Sequence, residues 1–134
     1  MDIDARKFEL RAQARENRDA LASGIGMAAA TGVAARFMSS PLSNLVRDRV
    51  VAGYMPMRSE LDPQVLMRHL AGTGTVLCLP DVLADAAPLA FRRWSPDDAL
   101  TTGRFDIAVP MPEADTLVPD VLLVPMLAFD RQGH

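Results

Sequence analysis

The sequence is poor in the residues that most often carry chemistry. Among its 134 residues Cys78 is the single cysteine. An intramolecular disulfide is therefore impossible and a cysteine-based zinc site is excluded. Cys78 lies inside the apolar run Thr75-Val76-Leu77-Cys78-Leu79 and reads as a small buried hydrophobe rather than a nucleophile. The two histidines, His69 and His134, are far apart and no carboxylate cluster accompanies either, so no metal ligands are assigned. There is no Gly-x-Ser-x-Gly elbow and no Gly-x-Gly-x-x-Gly following an apolar run, which removes the usual signatures of serine hydrolases and dinucleotide-binding folds. An excess of positive charge is also missing. The formal net charge is -3, so nothing draws the whole molecule to nucleic acid or to an anionic membrane, and any anion site must be local. The longest weakly polar stretch, Gly24 to Ala35, is too short to span a bilayer. The N-terminus is charged and has no apolar core, unlike a secretory leader. A cytoplasmic location with no membrane or nucleic-acid partner is expected.

What is present suits one folded domain over residues 1–134, opened by a helical segment over 1–49. Hydrophobic residues make up 49% and charged residues 23%, which is ordinary for a globular chain. Residues 4–22 are good helix formers, with Asp2 or Asp4 as cap and Gly24 as stop. Ser23 is placed to cap a second helix that runs to about Met38, where Ser39-Ser40-Pro41 breaks it. A short helix over Leu42 to Arg49 follows. Val50 to Tyr54 then reads as a buried strand, and Asp62-Pro63 opens a helix that stops at Gly72-Thr73-Gly74. Thr75–Leu79 is a second strand. Leu89–Trp94, interrupted by Arg92 and Arg93, is a third, near an edge. Residues 95–118 read as loop, and Val121–Val124 as a central strand. Strand, helix, strand with short links predicts an α/β domain with a mainly parallel sheet. Ligands of such sheets bind beyond the carboxyl ends of strands. That rule points to Met55–Glu60, the loop around Phe105, and the stretch after Leu127.

Three patterns in these regions can carry chemistry. Lys7, Arg11, Arg15 and Arg18 share one helix face. The face can grip phosphates, or it can be a solvated face paired with Glu16 and Asp19. Glu60 sits in a strand-to-helix turn. There a carboxylate can accept hydrogen bonds from an NH-rich ligand, or simply favour a helix start. Tyr54, Met55 and Met57 can line a pocket or belong to the core. Phe105, in a loop bounded by glycine and proline, is either a stacking platform or the loop's anchor.

Read in order, several blocks resemble the 5-formyltetrahydrofolate cyclo-ligase (methenyltetrahydrofolate synthetase) family. They are Lys7-x-x-x-Arg11, Val51-Ala-Gly-Tyr-Met-Pro-Met-Arg-Ser-Glu-Leu-Asp-Pro63, Leu77-Cys-Leu-Pro80, Leu89-Ala-Phe-Arg-Arg-Trp94, Gly103-Arg-Phe-Asp-Ile107, and Val118-Pro-Asp-Val-Leu-Leu-Val-Pro-Met-Leu-Ala-Phe-Asp-Arg-Gln-Gly-His134. The second and last blocks are the most specific. Asp106 departs from the glycine usual before the isoleucine, and Asp81 stands where an apolar residue is common.

The resemblance implies a three-layer α/β sandwich with helices on both faces of the sheet. It also implies ATP- and magnesium-dependent conversion of 5-formyltetrahydrofolate to 5,10-methenyltetrahydrofolate. The formyl oxygen is phosphorylated, the N10 nitrogen attacks the activated carbon, and phosphate leaves. Carried over by position, Lys7 and Arg11 would touch ATP phosphates. Met55, Glu60 and Phe105 would contact the folate, with Glu60 on the pterin. Relatives continue past a block like Phe129–His134 into a glycine-rich ATP loop that ends Gly-Tyr-Tyr-Asp. These residues are thus expected to correspond to the N-terminal two-thirds of such an enzyme, with the C-terminal part missing. They are expected to be inactive alone and to expose an unfinished sheet edge prone to self-association. A non-catalytic remnant or interaction protein that keeps the fold is the alternative.

Overall fold

The computed structural model describes residues 2–134. Its first element, α1, is a continuous helix over Ile3–Ser39, about 55 Å long at the α-helical rise. Asp2 caps it, accepting a hydrogen bond from the Asp4 amide at 3.2 Å. The break predicted at Gly24 does not occur. A glycine inside a helix costs only about 1 kcal/mol relative to alanine, and a 37-residue helix absorbs that. Ser23, instead of capping a new helix, donates its hydroxyl to the Ala20 carbonyl at 2.9 Å. The helix ends where expected, with Ser40 extended and its amide on Phe37 O. Because α1 is unbroken, one 18-residue window reaches a mean hydropathy of 1.3, long and apolar enough by length and composition to cross a membrane. This replaces the shorter stretch read from the sequence. Ala30 and Ala34 of the helix are nevertheless buried in the domain, and α1 lies against the helix that follows β1.

After a one-turn α2 (Leu42–Leu45), shorter than predicted, the chain enters β1 (Val50–Ala52). The helix α3 (Gln64–Gly72) connects it to β2 (Val76–Asp81). The helix starts one residue later than expected, with Pro63 in the cap position, and Asp62 accepts the Gln64 amide at 2.9 Å from just before it. The strands β1 and β2 are parallel, with Val51 opposite Leu77. This strand–helix–strand unit holds the core: Val51, Met67, Leu70, Leu77, Leu79 and Trp94 are buried together. Gly53 follows β1 directly, and a Cβ there would collide with the Met67 thioether. Glycine at this point lets α3 sit close over the strand end.

The rest of the sheet is less regular. β3 (Ala90–Arg93) pairs antiparallel with β2, and β6 (Thr116–Leu117) pairs antiparallel with β3. β7 (Val121–Leu122) pairs parallel with β1. The order is β6-β3-β2-β1-β7, an α/β fold whose sheet is parallel at β2-β1-β7 and antiparallel beyond. β3 lies beside the edge strand β6, near an edge as expected, and Arg92 is satisfied there: it reaches Asp81 at 3.1 Å and the Pro112 and Ala114 carbonyls at 3.1 and 3.3 Å. One placement differs from the pattern-based one. β7 is an edge rather than a central strand, and Leu122 remains 54% exposed. The segment read as loop contains a hairpin, β4 (Leu100–Thr102) and β5 (Ala108–Pro110). Its tip is a 3₁₀ turn over Arg104–Asp106.

Candidate functional site

A cavity of about 640 Å³ opens between α1, the turn after β1 and the stretch after β7. The α1 wall is mostly small and apolar, from Ala14 through Leu21, Ala22, Ile25 and Gly26 to Ala29, with Asn17 and Arg18 as its polar members. Together these positions recur at i, i+3, i+4 and i+7 and form one helix face. The second wall is Arg58 to Asp62, and the third is Met126 to Phe129. Two of the three segments singled out by the strand-end rule therefore meet here. Beside it a smaller cavity of about 300 Å³ is lined by Arg15, Arg18, Met57, Arg58, Glu60, Pro125 and Leu127. The two share Arg18, Arg58, Glu60 and Leu127. The site is an apolar trough with a mouth bearing guanidinium groups and one central carboxylate.

The turn that carries Glu60 is tightly specified. The Glu60 amide donates to Met57 O at 3.1 Å, and the Glu60 carboxylate accepts the Met57 amide at 3.0 Å through Oε2. Between them Arg58 adopts a left-handed φ of 53°, a conformation that costs a non-glycine residue roughly 1 kcal/mol. The turn is also held from outside. Arg18 donates from Nε to Ser59 Oγ at 2.9 Å, and Ser59 donates to the Asp19 carboxylate. Tyr54 closes the other side by donating to Leu61 O at 2.6 Å. Burial, and then the charges of Glu60 and Asp62, push the Tyr54 phenol up to about 12. It therefore stays protonated and keeps that bond throughout the physiological range.

The other residues singled out from the sequence lie elsewhere. Lys7 and Arg11 are exposed on the first turns of α1, ahead of the cavity wall that begins at Ala14. At 1.5 Å per residue, Arg11 is about 5 Å and Lys7 about 10 Å along the axis from that wall. Met55 lies against the core, where its sulfur accepts from the Gln64 amide group at 3.4 Å. It does not line the cavity. Phe105 is 68% exposed at the hairpin tip, outside both cavity walls. Phe105 and Asp106 both have left-handed φ, 57° and 56°, and Arg104 ties the tip to Asp85 at 2.7 Å. Residues the pattern did not single out are Arg58 and Ser59, at which only the strand-to-helix position of the turn hinted; Asp19, read as a partner for the basic helix face, instead accepts from Ser59. Among the described residues no group of three or more His, Cys, Asp or Glu is arranged to hold a metal ion.

This mixed sheet, with a helix-walled cavity beyond the end of β1, belongs to a known class of α/β folds. The solution structure of the 5,10-methenyltetrahydrofolate synthetase of Aquifex aeolicus superposes with a TM-score of 0.76 at 27% identity, over 92% of this chain and 62% of that one. The model of the 5-formyltetrahydrofolate cyclo-ligase family matches residues 3–134. The chain belongs to the 5-formyltetrahydrofolate cyclo-ligase family. The 5-formyltetrahydrofolate cyclo-ligases of Escherichia coli strains K12 and O157:H7 are each 31% identical to it over 106 residues. That alignment takes in 75% of this chain and 57% of theirs. The chain thus spans less than two-thirds of the length of these relatives.

Proposed function

We propose that this chain supplies the folate-binding half of an ATP- and magnesium-dependent 5-formyltetrahydrofolate cyclo-ligase site. The observation that carries the reading is the position of Glu60 in a chain that matches the family from residue 3 to 134. It projects from a doubly hydrogen-bonded turn into an apolar trough large enough for a fused-ring ligand. One oxygen of Glu60 is engaged by the Met57 amide; the other is the acceptor offered to the pterin N–H groups. Leu21, Ile25 and Leu61 supply flat apolar contact. Met55 supports the turn from the core side, and Phe105, exposed at the hairpin tip outside the cavity, is assigned to the folate by resemblance alone. Lys7 and Arg11 face the triphosphate of ATP, which neutralises them as it binds. Magnesium usually retains several waters and is held by phosphates with one or two carboxylates. It therefore arrives with the nucleotide and needs no protein cage.

The division of labour follows from charge. Activating the formyl oxygen by phosphorylation places new negative charge on the transferring group. Positioning and charge neutralisation are what a protein contributes to such a step. Of the groups that the resemblance assigns to ATP phosphates, the 134 residues offer Lys7 and Arg11 on an exposed helix face, and turnover by them alone is not expected. The test has two arms. Calorimetric titration with 5-formyltetrahydrofolate should show saturable binding that falls roughly tenfold or more in Glu60→Ala, the scale of one charge-assisted hydrogen bond. Absorbance growth of methenyltetrahydrofolate with ATP and magnesium should be absent. ATP-dependent turnover lost in Lys7→Ala would overturn the second expectation, and no binding at all would overturn the first. A second reading, an interaction protein, draws on the apolar side chains exposed at and after β7, such as Leu122, Val124 and Phe129. Self-association along that edge is its form.

A further inference from the structure

The turn bearing Glu60 and the helix bearing Lys7 and Arg11 are far apart in sequence, yet one hydrogen-bonded link joins them. The Arg18 guanidinium donates from Nε to Ser59 Oγ at 2.9 Å. The Ser59 hydroxyl in turn donates a hydrogen bond to the Asp19 carboxylate. Ser59 is thus held as both donor and acceptor by adjacent residues of α1, 41 and 40 positions away. The geometry points to Arg18, Ser59 and Asp19 as positioning residues that fix the Glu60 carboxylate in the cavity by anchoring its turn to α1. The inference rests on the folate-site reading only for the identity of the ligand.

Three facts carry it. First, the turn needs an outside hold. Its central residue, Arg58, is in a left-handed conformation that side chains seldom adopt, and strained backbone persists where surroundings over-determine it. Second, little else anchors the tip. Met57 and Arg58 are exposed, and the Met57–Glu60 bonds are internal to the turn. The Tyr54 bond grips Leu61, on the far side of Glu60. Third, the link is made by the same guanidinium that lines both cavities. Moving Arg18 would therefore change the site mouth and the turn together. A serine is well suited to this place. Its hydroxyl donates and accepts at once, so one atom joins a cation and an anion of the same helix.

The test reads the turn directly and the ligand separately. In the unliganded chain, hydrogen exchange of the Met57 and Glu60 amides should speed up about tenfold in Ser59→Ala and in Arg18→Ala, the effect of losing one such bond. Ser59→Thr, which keeps the hydroxyl, should restore protection. Exchange in β1 and β2 should be unchanged in all three, which separates local loosening from poor folding. In a titration with 5-formyltetrahydrofolate, Ser59→Ala should weaken affinity by a similar factor and Ser59→Thr should not. Unchanged exchange at Met57 and Glu60 in both alanine variants would overturn the positioning role whatever the ligand does. If the wild-type chain binds no 5-formyltetrahydrofolate while the exchange results hold, the folate reading fails and the positioning role stands.

Discussion

The unit from Val50 to Trp94 and the pair formed by α1 with the chain after β7 are built from similar residues and are buried very differently. In the first, Val51, Met67, Leu70 and Leu79 are at most 1% exposed, and each strand is paired on both sides. In the second, Leu21, Ile25, Met126 and Phe129 are 52 to 74% exposed and line a cavity instead of filling one. Apolar side chains gain about 25 cal/mol for each Å² removed from water, so the first region holds the fold together. The second leaves apolar surface for a ligand or for further polypeptide to cover. Stability and function are thus laid out in different parts of one small domain, and the Glu60 turn lies where they meet.

The largest effect that can break this contrast comes from making one substitution in both regions. Leu79→Ala removes a fully buried side chain and should cost about 2–5 kcal/mol, read by chemical denaturation. Leu21→Ala removes the same atoms from a 60% exposed position and should cost no more than roughly 0.5 kcal/mol. Equal losses would mean that α1 is buried in solution in a way this structure does not show, as it would be in an associated form. A smaller effect is expected at Arg92, the polar counterpart of the core. It bonds Asp81 and two carbonyls, and both members of the ion pair are 19% exposed. Arg92→Ala should cost about 1–3 kcal/mol, since it leaves partly buried acceptors unpaired.

The difference between the regions also decides what could be read from the sequence. The strands β1 and β2 and the helix α3 were legible because Val50–Ala52 and Val76–Leu79 are short apolar runs. Their limits are marked by Asp62-Pro63 and Gly72-Thr73-Gly74, and local chemistry and burial agree there. The continuity of α1 was not legible. Gly24 and Gly26 look like punctuation, but their penalty is small and nothing in the sequence weighs it against 37 residues of helix. β4 and β5 are three residues each, too short for alternation to register. Val121–Val124 looks central because it is apolar, yet apolarity marks what a segment would bury, not what is present to bury it. Of the site, Glu60 was legible from its strand-to-helix position and from resemblance. The Arg18–Ser59–Asp19 link was not, because spacing reports neighbours on one element and this link spans 41 residues.

A sharper probe of the exposed region uses Lys7, the single lysine of the chain. An amine-reactive reagent modifies only it and the N-terminus, and peptide mapping separates the two. If Lys7 meets the triphosphate, ATP at ten times its dissociation constant should slow acylation of Lys7 about tenfold, following the free fraction. AMP, which lacks the β- and γ-phosphates, should have much less effect. Equal protection by both nucleotides would move the phosphate contact away from Lys7.

The smallest expected effect belongs to the last residues. Asp130 gathers the end of the chain: its carboxylate accepts the Gln132 and His134 amides, each at 2.9 Å, and lies 3.0 Å from His134 Nδ1. These bonds to His134, backbone first and then side chain, hold the Asp130 carboxyl below its ordinary value. A carboxyl depressed in the folded state contributes ordering above its unfolded pKa and loses it as pH falls through the lower, folded one. The turn over 130–134 should therefore stay closed through the ordinary carboxylate range and open only below it. Because the group lies at the surface and its partners are all within 130–134, the change should be confined to the turn. In an NMR titration the Gln132 and His134 amide shifts should move together with a midpoint below that of a model aspartate, while the amides of Val51 and Leu79 stay still. Asp130→Asn keeps an oxygen acceptor for the amides and removes the titration, so the shared midpoint should vanish in that variant. If the two amides instead titrate at the ordinary value, the turn is open in solution and the wall formed by Met126 to Phe129 is as mobile as its exposure allows. Co-titration of the core amides would mean that this end of the chain is coupled to the sheet, against the separation drawn between the two regions.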